Sequence, residues 1–192
     1  MIYVVGPKDR AFCKGKETIL TVSISKNWSK GLSPFVLGPC DLYDGHVSKT
    51  MDAAWQCAKV YACHVDENSD PTQEYWDWAQ MHWDNSRAQR YPMGKGAKPL
   101  YSLWKGEKLS YVEARKKIYI PLYYEAVKKT SAYASLEMHH ELDEDIYLWD
   151  FDGYNHRAMD MSWDDVVNND TRPMGHAFVL AMALEGYDKY LG

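Results

Sequence analysis

The 192-residue chain has no Cys-x-x-Cys pair, no surplus of positive charge and no apolar run long enough to span a membrane. Its four cysteines, Cys13, Cys40, Cys57 and Cys63, are irregularly spaced, and a chain of this length buries enough surface to fold without disulfide staples, so reduced thiols are expected. A zinc site on Cys57, Cys63 and His64 would lack an obvious fourth ligand, and no metal is expected. The net charge of −5 argues against affinity built on a broad phosphate-neutralising surface, which needs clustered positive charge. Met1-Ile2-Tyr3-Val4-Val5 has neither the charged start nor the apolar core of a signal peptide, so a cytoplasmic protein without a membrane partner is expected. Internal repeats and low-complexity tracts are absent too, which leaves one domain over residues 1–192.

What the chain has in quantity is aromatic: 8 Trp and 15 Tyr, more than packing alone usually requires. Large rings fill cores first, and they also stack on planar ligands; composition does not separate the two uses.

The pattern along the chain predicts strands, then helices. Ile2 to Val5 is apolar, and Leu20, Val22 and Ile24 alternate with Thr21 and Ser23 as a half-buried strand would. Asp44-Gly45 predicts a tight turn before a first helix, Met51 to His64, capped by Ser48 or Thr50. A second helix is expected from Asp70-Pro71, with Asp70 as the cap, stopping before Tyr91-Pro92. Glycines and prolines make Arg90 to Leu109 a long loop, basic through Arg90, Lys95, Lys98 and Lys105. A third helix starts at Ser110 with Glu113 completing a capping box, and Pro121 should kink it. Glu137 to Asp152 is acidic around a strand-like Ile146-Tyr147-Leu148-Trp149, and a last helix covers Met174 to about Glu185, ended by Gly186. Together these predict a mainly helical α+β domain: N-terminal strands and four principal helices around one pocket, lined by the Asp52 helix, the Arg90 to Lys105 loop and the Asp150 to Asn155 turn.

On the first helix Asp52, Gln56 and Lys59 fall at i, i+4 and i+7, so a carboxylate, an amide and an ammonium share one stripe. The stripe could face a polar pocket, or Asp52 could simply favour the helix dipole while the other two face water. Other short motifs carry less. His139-His140-Glu141 is a surface pair whose neighbours diverge by roughly a hundred degrees on a helix. Pro92 to Gly96 lacks the spacing of a phosphate loop. His176 reads as a satisfied, partly buried histidine rather than a pocket residue. Ile146 to Gly153 looks like the strand and Asp-x-Asp loop of haloacid-dehalogenase-like phosphatases, but only forty residues follow Asp152, too few for the rest of that fold.

Leu32-Ser33-Pro34-Phe35, Tyr43-Asp44-Gly45 and the run Thr50 to Lys59 together resemble the opening of the NADAR family, associated with NAD and ADP-ribose. Trp104, the Tyr111 to Val127 helix and Met174 to Met182 follow in the order of that family's later elements. Asp52 stands where the family has a glutamate, and Trp149 to Asn155 stands for its acidic-then-Trp-Gly signature. The resemblance implies a helical N-glycosidase that cleaves a ribose C1′–N bond in an ADP-ribosyl, nucleotide or ribosylamino-pyrimidine compound, without a cofactor. Cleavage builds positive charge on the sugar, so a carboxylate can stabilise the oxocarbenium-like state or activate water. Asp52, with Asp150 or Asp152 as a second carboxylate, is expected in that role. Tyr43, Trp55 and Trp104 are candidates to stack on the base, Lys59, Arg90 and Lys95 to meet phosphate, and Ser33, Phe35, Gln56 and Asn155 to complete the ligand contacts. Two alternatives accompany this reading: a non-catalytic binder of an ADP-ribose-like or nucleotide ligand, and a protein acting on nucleic acid bases.

Overall fold

In the computed structural model, which describes residues 1–87, 90–142 and 145–192, the chain is α+β. Strands β1 (Ile2–Val5) and β2 (Thr18–Leu20) open it, and β3 (Cys40–Asp41) and β4 (Val47–Ser48) form a hairpin. Helix α1 (Met51–Cys57), strand β5 (Lys59–Val60) and helix α2 (Gln73–Trp83) follow, then a second hairpin of β6 (Tyr101–Trp104) and β7 (Glu107–Leu109). Helices α3 (Tyr111–Ala114) and α4 (Ile120–Val127) flank a π-helical turn, Arg115–Tyr119; α5 (Ser131–Leu142), β8 (Ile146–Trp149), α6 (Trp163–Asn168) and α7 (His176–Leu184) complete the chain.

The strand from the acidic segment organises the site. β8 lies between β1 and β2 and pairs with both in parallel, Ile2 opposite Ile146 and Thr18 opposite Tyr147. Ile146 and Leu148 are buried, as are Ile2 and Val4, in one core with α4 and α7. Residues 176–182 of α7 are all buried, the pattern of a helix enclosed by core rather than lying across a surface. The remaining residues of the acidic stretch include Asp143 and Glu144, which lie outside the described residues. Among the described residues no helix is long and apolar enough to cross a membrane.

Several expectations are corrected. The first helix stops at Cys57, not His64, because Lys59 and Val60 pair with Ser102 and Tyr101 of β6 and the Leu103 N–H donates to the Ala58 carbonyl at 2.7 Å. Thr50 is its cap, accepting from the Ala53 N–H at 3.1 Å. The second helix starts after Thr72, not Asp70: the Asp66 carboxylate takes the N–H groups of Asn68 and Asp70, holding that segment in a turn. The alternating run ends at Leu20; the chain turns at Val22, which is buried, while Ile24 is 63% exposed. α5 and α6 occupy stretches where no helix was expected.

Other expectations hold. The Tyr43-Asp44-Gly45-His46 turn has positive φ at Asp44 and Gly45, 51° and 78°, the conformation that joins twisted hairpin strands. Ser110 and Glu113 form the capping box. Pro121 sits in the first turn of α4, directly after the π-helical turn, where a residue with no N–H to donate is accommodated.

Candidate functional site

Beyond the C-terminal end of the parallel sheet, where ligands of such sheets commonly bind, the chain encloses a cavity of about 560 Å³. One wall is α1, contributing Asp52, Trp55 and Gln56, with Lys59 just past its end. The turn that follows the 3-10 helix Trp28–Leu32 delivers Ser33, Pro34 and Phe35, and the turn after β8 delivers Asp150, Phe151 and Asp152. Arg90 and Tyr91 lie at the side, and Tyr111, Arg115, Tyr119 and the segment Met174-Gly175-His176 close it.

Nine of the expected residues therefore meet in one place: Ser33, Phe35, Asp52, Trp55, Gln56, Lys59, Arg90, Asp150 and Asp152. Four do not line the cavity. Tyr43 is buried edge-on against Trp104, ring centroids 5.0 Å apart, so these two rings serve the packing of the hairpins. Asn155 is buried and accepts the Ala158 N–H at 3.2 Å, and Lys95 is exposed in the turn beyond Tyr91. Of the basic loop, only its first residues reach the cavity.

Asp52 is buried, and its two oxygens differ. Oδ1 accepts from the Arg90 guanidinium at 3.0 Å and from Gln56 Nε2 at 3.4 Å; Oδ2 is buried without a hydrogen-bond partner among the described residues. Lys59 Nζ donates to Gln56 Oε1 at 2.9 Å and lies 4.9 Å over the Trp55 ring. The expected stripe is therefore a bonded relay from carboxylate to amide to ammonium, although Lys59 reaches it from a strand and not a helix. Burial, with Arg90 adding repulsion, pulls the Lys59 pKa down to about 8 against the pull of Asp52 and Asp152.

Asp150 is committed elsewhere. Its Oδ2 sits 3.0 Å from His176 Nδ1 and accepts the Ala177 N–H at 3.2 Å, at the N-terminus of α7. His176 Nε2 is 2.7 Å from the Thr21 carbonyl, which can only accept, so that nitrogen donates and Nδ1 is the atom that meets the Asp150 carboxyl, a pairing that favours imidazolium with carboxylate. Burial alone would favour the neutral forms, but this pairing overrides it: His176 is held above its ordinary value and Asp150 below. His176 is thus satisfied, as expected, yet it also belongs to the cavity lining. A Cβ at Gly175 would lie 2.1 Å from Asp150 Oδ2, so the carboxylate reaches the helix end only because this residue has no side chain. Asp152, exposed at the cavity, has its carboxyl raised by desolvation and by the Asp150 charge. The two carboxyls left for chemistry, Asp52 and Asp152, sit in different surroundings.

Arg115, Tyr111 and Tyr119 were missed by reading the sequence. They fall at i, i+4 and i+8 of the third helix, a shared stripe that could have identified them. Arg115 is 1% exposed; Nη1 donates to the carbonyls of Val166, Val167 and Asn169, and Nη2 to that of Arg172. Its guanidinium carbon is 4.6 Å from the Tyr111 ring.

Comparison with curated proteins finds no match, and comparison with solved structures finds none. A family model does match, over residues 11–180, which takes in every residue that lines the cavity. The chain belongs to this family, described as a family of unknown function (DUF6939).

Proposed function

We propose that the chain hydrolyses a ribosyl C1′–N bond in a small ribosylated compound bound in this cavity. The observation that carries the reading is Asp52: a buried carboxylate on the cavity wall, fixed through one oxygen by Arg90 and Gln56, with its other oxygen unpartnered among the described residues. A buried oxygen without a donor is costly, and a developing oxocarbenium ion or an attacking water would satisfy it. Asp152 is the second carboxylate. Its raised pKa suits a group that gives a proton to the departing base, and Asp150 is excluded from that task by its ion pair with His176. Trp55 supplies a face for a planar base, and Arg90 and Lys59 supply positive charge. The resemblance of Leu32 to Lys59 to the NADAR opening supports the same chemistry, with Asp52 in the acidic position.

Non-catalytic binding is the second reading, favoured by one observation: Arg90 already occupies Asp52 Oδ1, as it would if the carboxylate served to hold the arginine. Mass spectrometry of base release from ADP-ribosyl, nucleoside and ribosylamino-pyrimidine compounds, with thermal shift alongside, separates the two. Hydrolysis expects release by wild type and a loss of about a hundredfold or more in Asp52→Ala with binding retained. Saturable stabilisation of wild type without any release would replace hydrolysis with binding.

A further inference from the structure

The turn that presents Asp152 to the cavity is built around Asp150. Asp150 Oδ1 accepts the Asp152 N–H at 3.2 Å, the Asp150 carbonyl accepts the Gly153 N–H at 3.1 Å, and the Asp150 N–H donates to the Val5 carbonyl at 3.0 Å, at the end of β1. Glycines make this packing possible. A Cβ at Gly6 would lie 2.0 Å from the Gly153 carbonyl oxygen, one at Gly153 2.2 Å from that of Val5, and one at Gly175 2.1 Å from Asp150 Oδ2. Backbone on two sides and the start of α7 on a third therefore fix where the Asp150 carboxyl lies, and the oxygen turned from α7 holds the main chain of Asp152.

His176 completes the frame. Its Nδ1 is 3.0 Å from Asp150 Oδ2, its Nε2 is 2.7 Å from the Thr21 carbonyl just after β2, and its ring lies 5.5 Å from that of Tyr123 on α4. Two carboxyls so near in sequence compete for one proton, and their surroundings decide which holds it. Burial pushes the Asp150 carboxyl up, but His176 and the N–H groups of Ala177 and Asp152 outweigh it and favour the anion. Desolvation and the Asp150 charge push Asp152 up, against a direct pull from Arg90, His176 and Lys59. Tyr119, near both, is kept neutral by burial.

We infer that His176 is the positioning residue for Asp152: acting through Asp150, it fixes the turn that presents Asp152 and keeps Asp150 as the anion of the pair, so that the exchangeable proton resides on Asp152. The inference rests on the proposed reading of Asp152 as the proton donor and specifies what controls that donor. Asp150 is then the link between the two, held by the histidine through one oxygen and holding the Asp152 backbone through the other.

The test is a carbon-detected NMR titration of the full chain without any ligand, following the carboxyl carbons of Asp52, Asp150 and Asp152 and the Asp152 amide. In wild type the Asp152 carbon is expected to titrate while the Asp150 carbon keeps its ionised position over the same range. Asparagine at position 176 can still donate near the place of Nδ1 but carries no charge. In His176→Asn the two carbons are therefore expected to titrate together, with the proton shared, and the Asp152 amide to shift. Titrations of Asp150 and Asp152 that match wild type in a folded His176→Asn overturn the inference. So does an equal displacement of Asp52, which is tied to Arg90 and would report a general loosening instead of a positioning role. Wild type alone reads the same point should the variant not fold: as pH rises through deprotonation of His176, followed at its ring nitrogens, the Asp152 amide should move with the same midpoint, and an indifferent amide overturns the link. Base release is scored separately. Its absence, with the titrations as expected, removes the reaction and keeps the positioning role, whereas base release with unmoved carboxyls in His176→Asn keeps the reaction and removes the role.

Discussion

At the scale of single residues, Asp52 and Asp150 show how environment separates two similar side chains. Both are buried aspartates lining one cavity, but Asp150 is held by His176 and a helix N-terminus while Asp52 keeps an oxygen without a partner among the described residues. The Asp150–His176 pair makes stability depend on pH in two directions. His176 keeps its proton to higher pH folded than unfolded, so its contribution is full below about 6.5 and is lost as pH rises through the raised folded value. Asp150 contributes above about 3.8 in full and loses its contribution as pH falls through its lowered value. Urea unfolding across pH should show both arms, and His176→Asn should abolish the upper one. Lys59 acts in the opposite sense to His176: the folded state sheds its proton first, so stability should rise between about pH 8 and 10.5, a rise that Lys59→Met removes. Gly175→Ala should destabilise by about 1–3 kcal/mol or more, since the new methyl meets the Asp150 carboxylate. The sequence identified Asp52, Asp150 and Asp152 as candidates by type and spacing. It could not rank them, because the partners that rank them lie at distant positions: Arg90 for Asp52, and His176, itself held by the Thr21 carbonyl, for Asp150.

At the scale of elements, the short helix α1 shows what sets the site's geometry. Its apolar spacing continues past Cys57, yet the helix ends there because the next backbone groups pair with β6. Tertiary pairing overrides local periodicity, and that puts Lys59 on a strand from which its ammonium still reaches Gln56. Thr50 holds the other end, so Thr50→Ala should cost about 1 kcal/mol in urea unfolding and should lower base release as well, because the cap sets where Asp52 begins. Capping box and hairpin turn were legible because their chemistry is local: Ser110 and Glu113 are three residues apart, and Asp44-Gly45 supplies its own positive φ. α5 was not legible, since its alternation of small, aromatic and histidine residues carries little amphipathic signal, and its buried residues Ala132, Tyr133 and Leu136 count as a face only once α4 and the turn at Trp28 are beside them.

At the scale of the whole molecule, the net charge of −5 is compatible with a cavity lined by Lys59, Arg90, Arg115 and His176 because that positive charge is internal. A ligand drawn to such a pocket should bind with modest salt dependence, whereas a nucleic acid spread over the surface would lose affinity steeply between 50 and 200 mM salt, about a thousandfold or more for several phosphate contacts. Titrating salt against binding of any ligand found in the base-release screen distinguishes these. Periodicity and turn chemistry by themselves determined an α+β chain with β1, β8, the Asp44-Gly45 turn and the helix starts at Met51 and Tyr111, because those features depend on neighbours a few positions away, whereas β6 and β7 fall in a stretch that reads as a long loop; together with the family resemblance the sequence picked out nine of the residues that line the cavity. Only the tertiary structure decided which carboxylate is tied to a histidine, which is left with an unsatisfied oxygen, and that Arg115 belongs to the site. Those outcomes depend on contacts such as Arg115 with Asn169 and His176 with Thr21, made between residues more than fifty positions apart, where sequence spacing carries no information about distance.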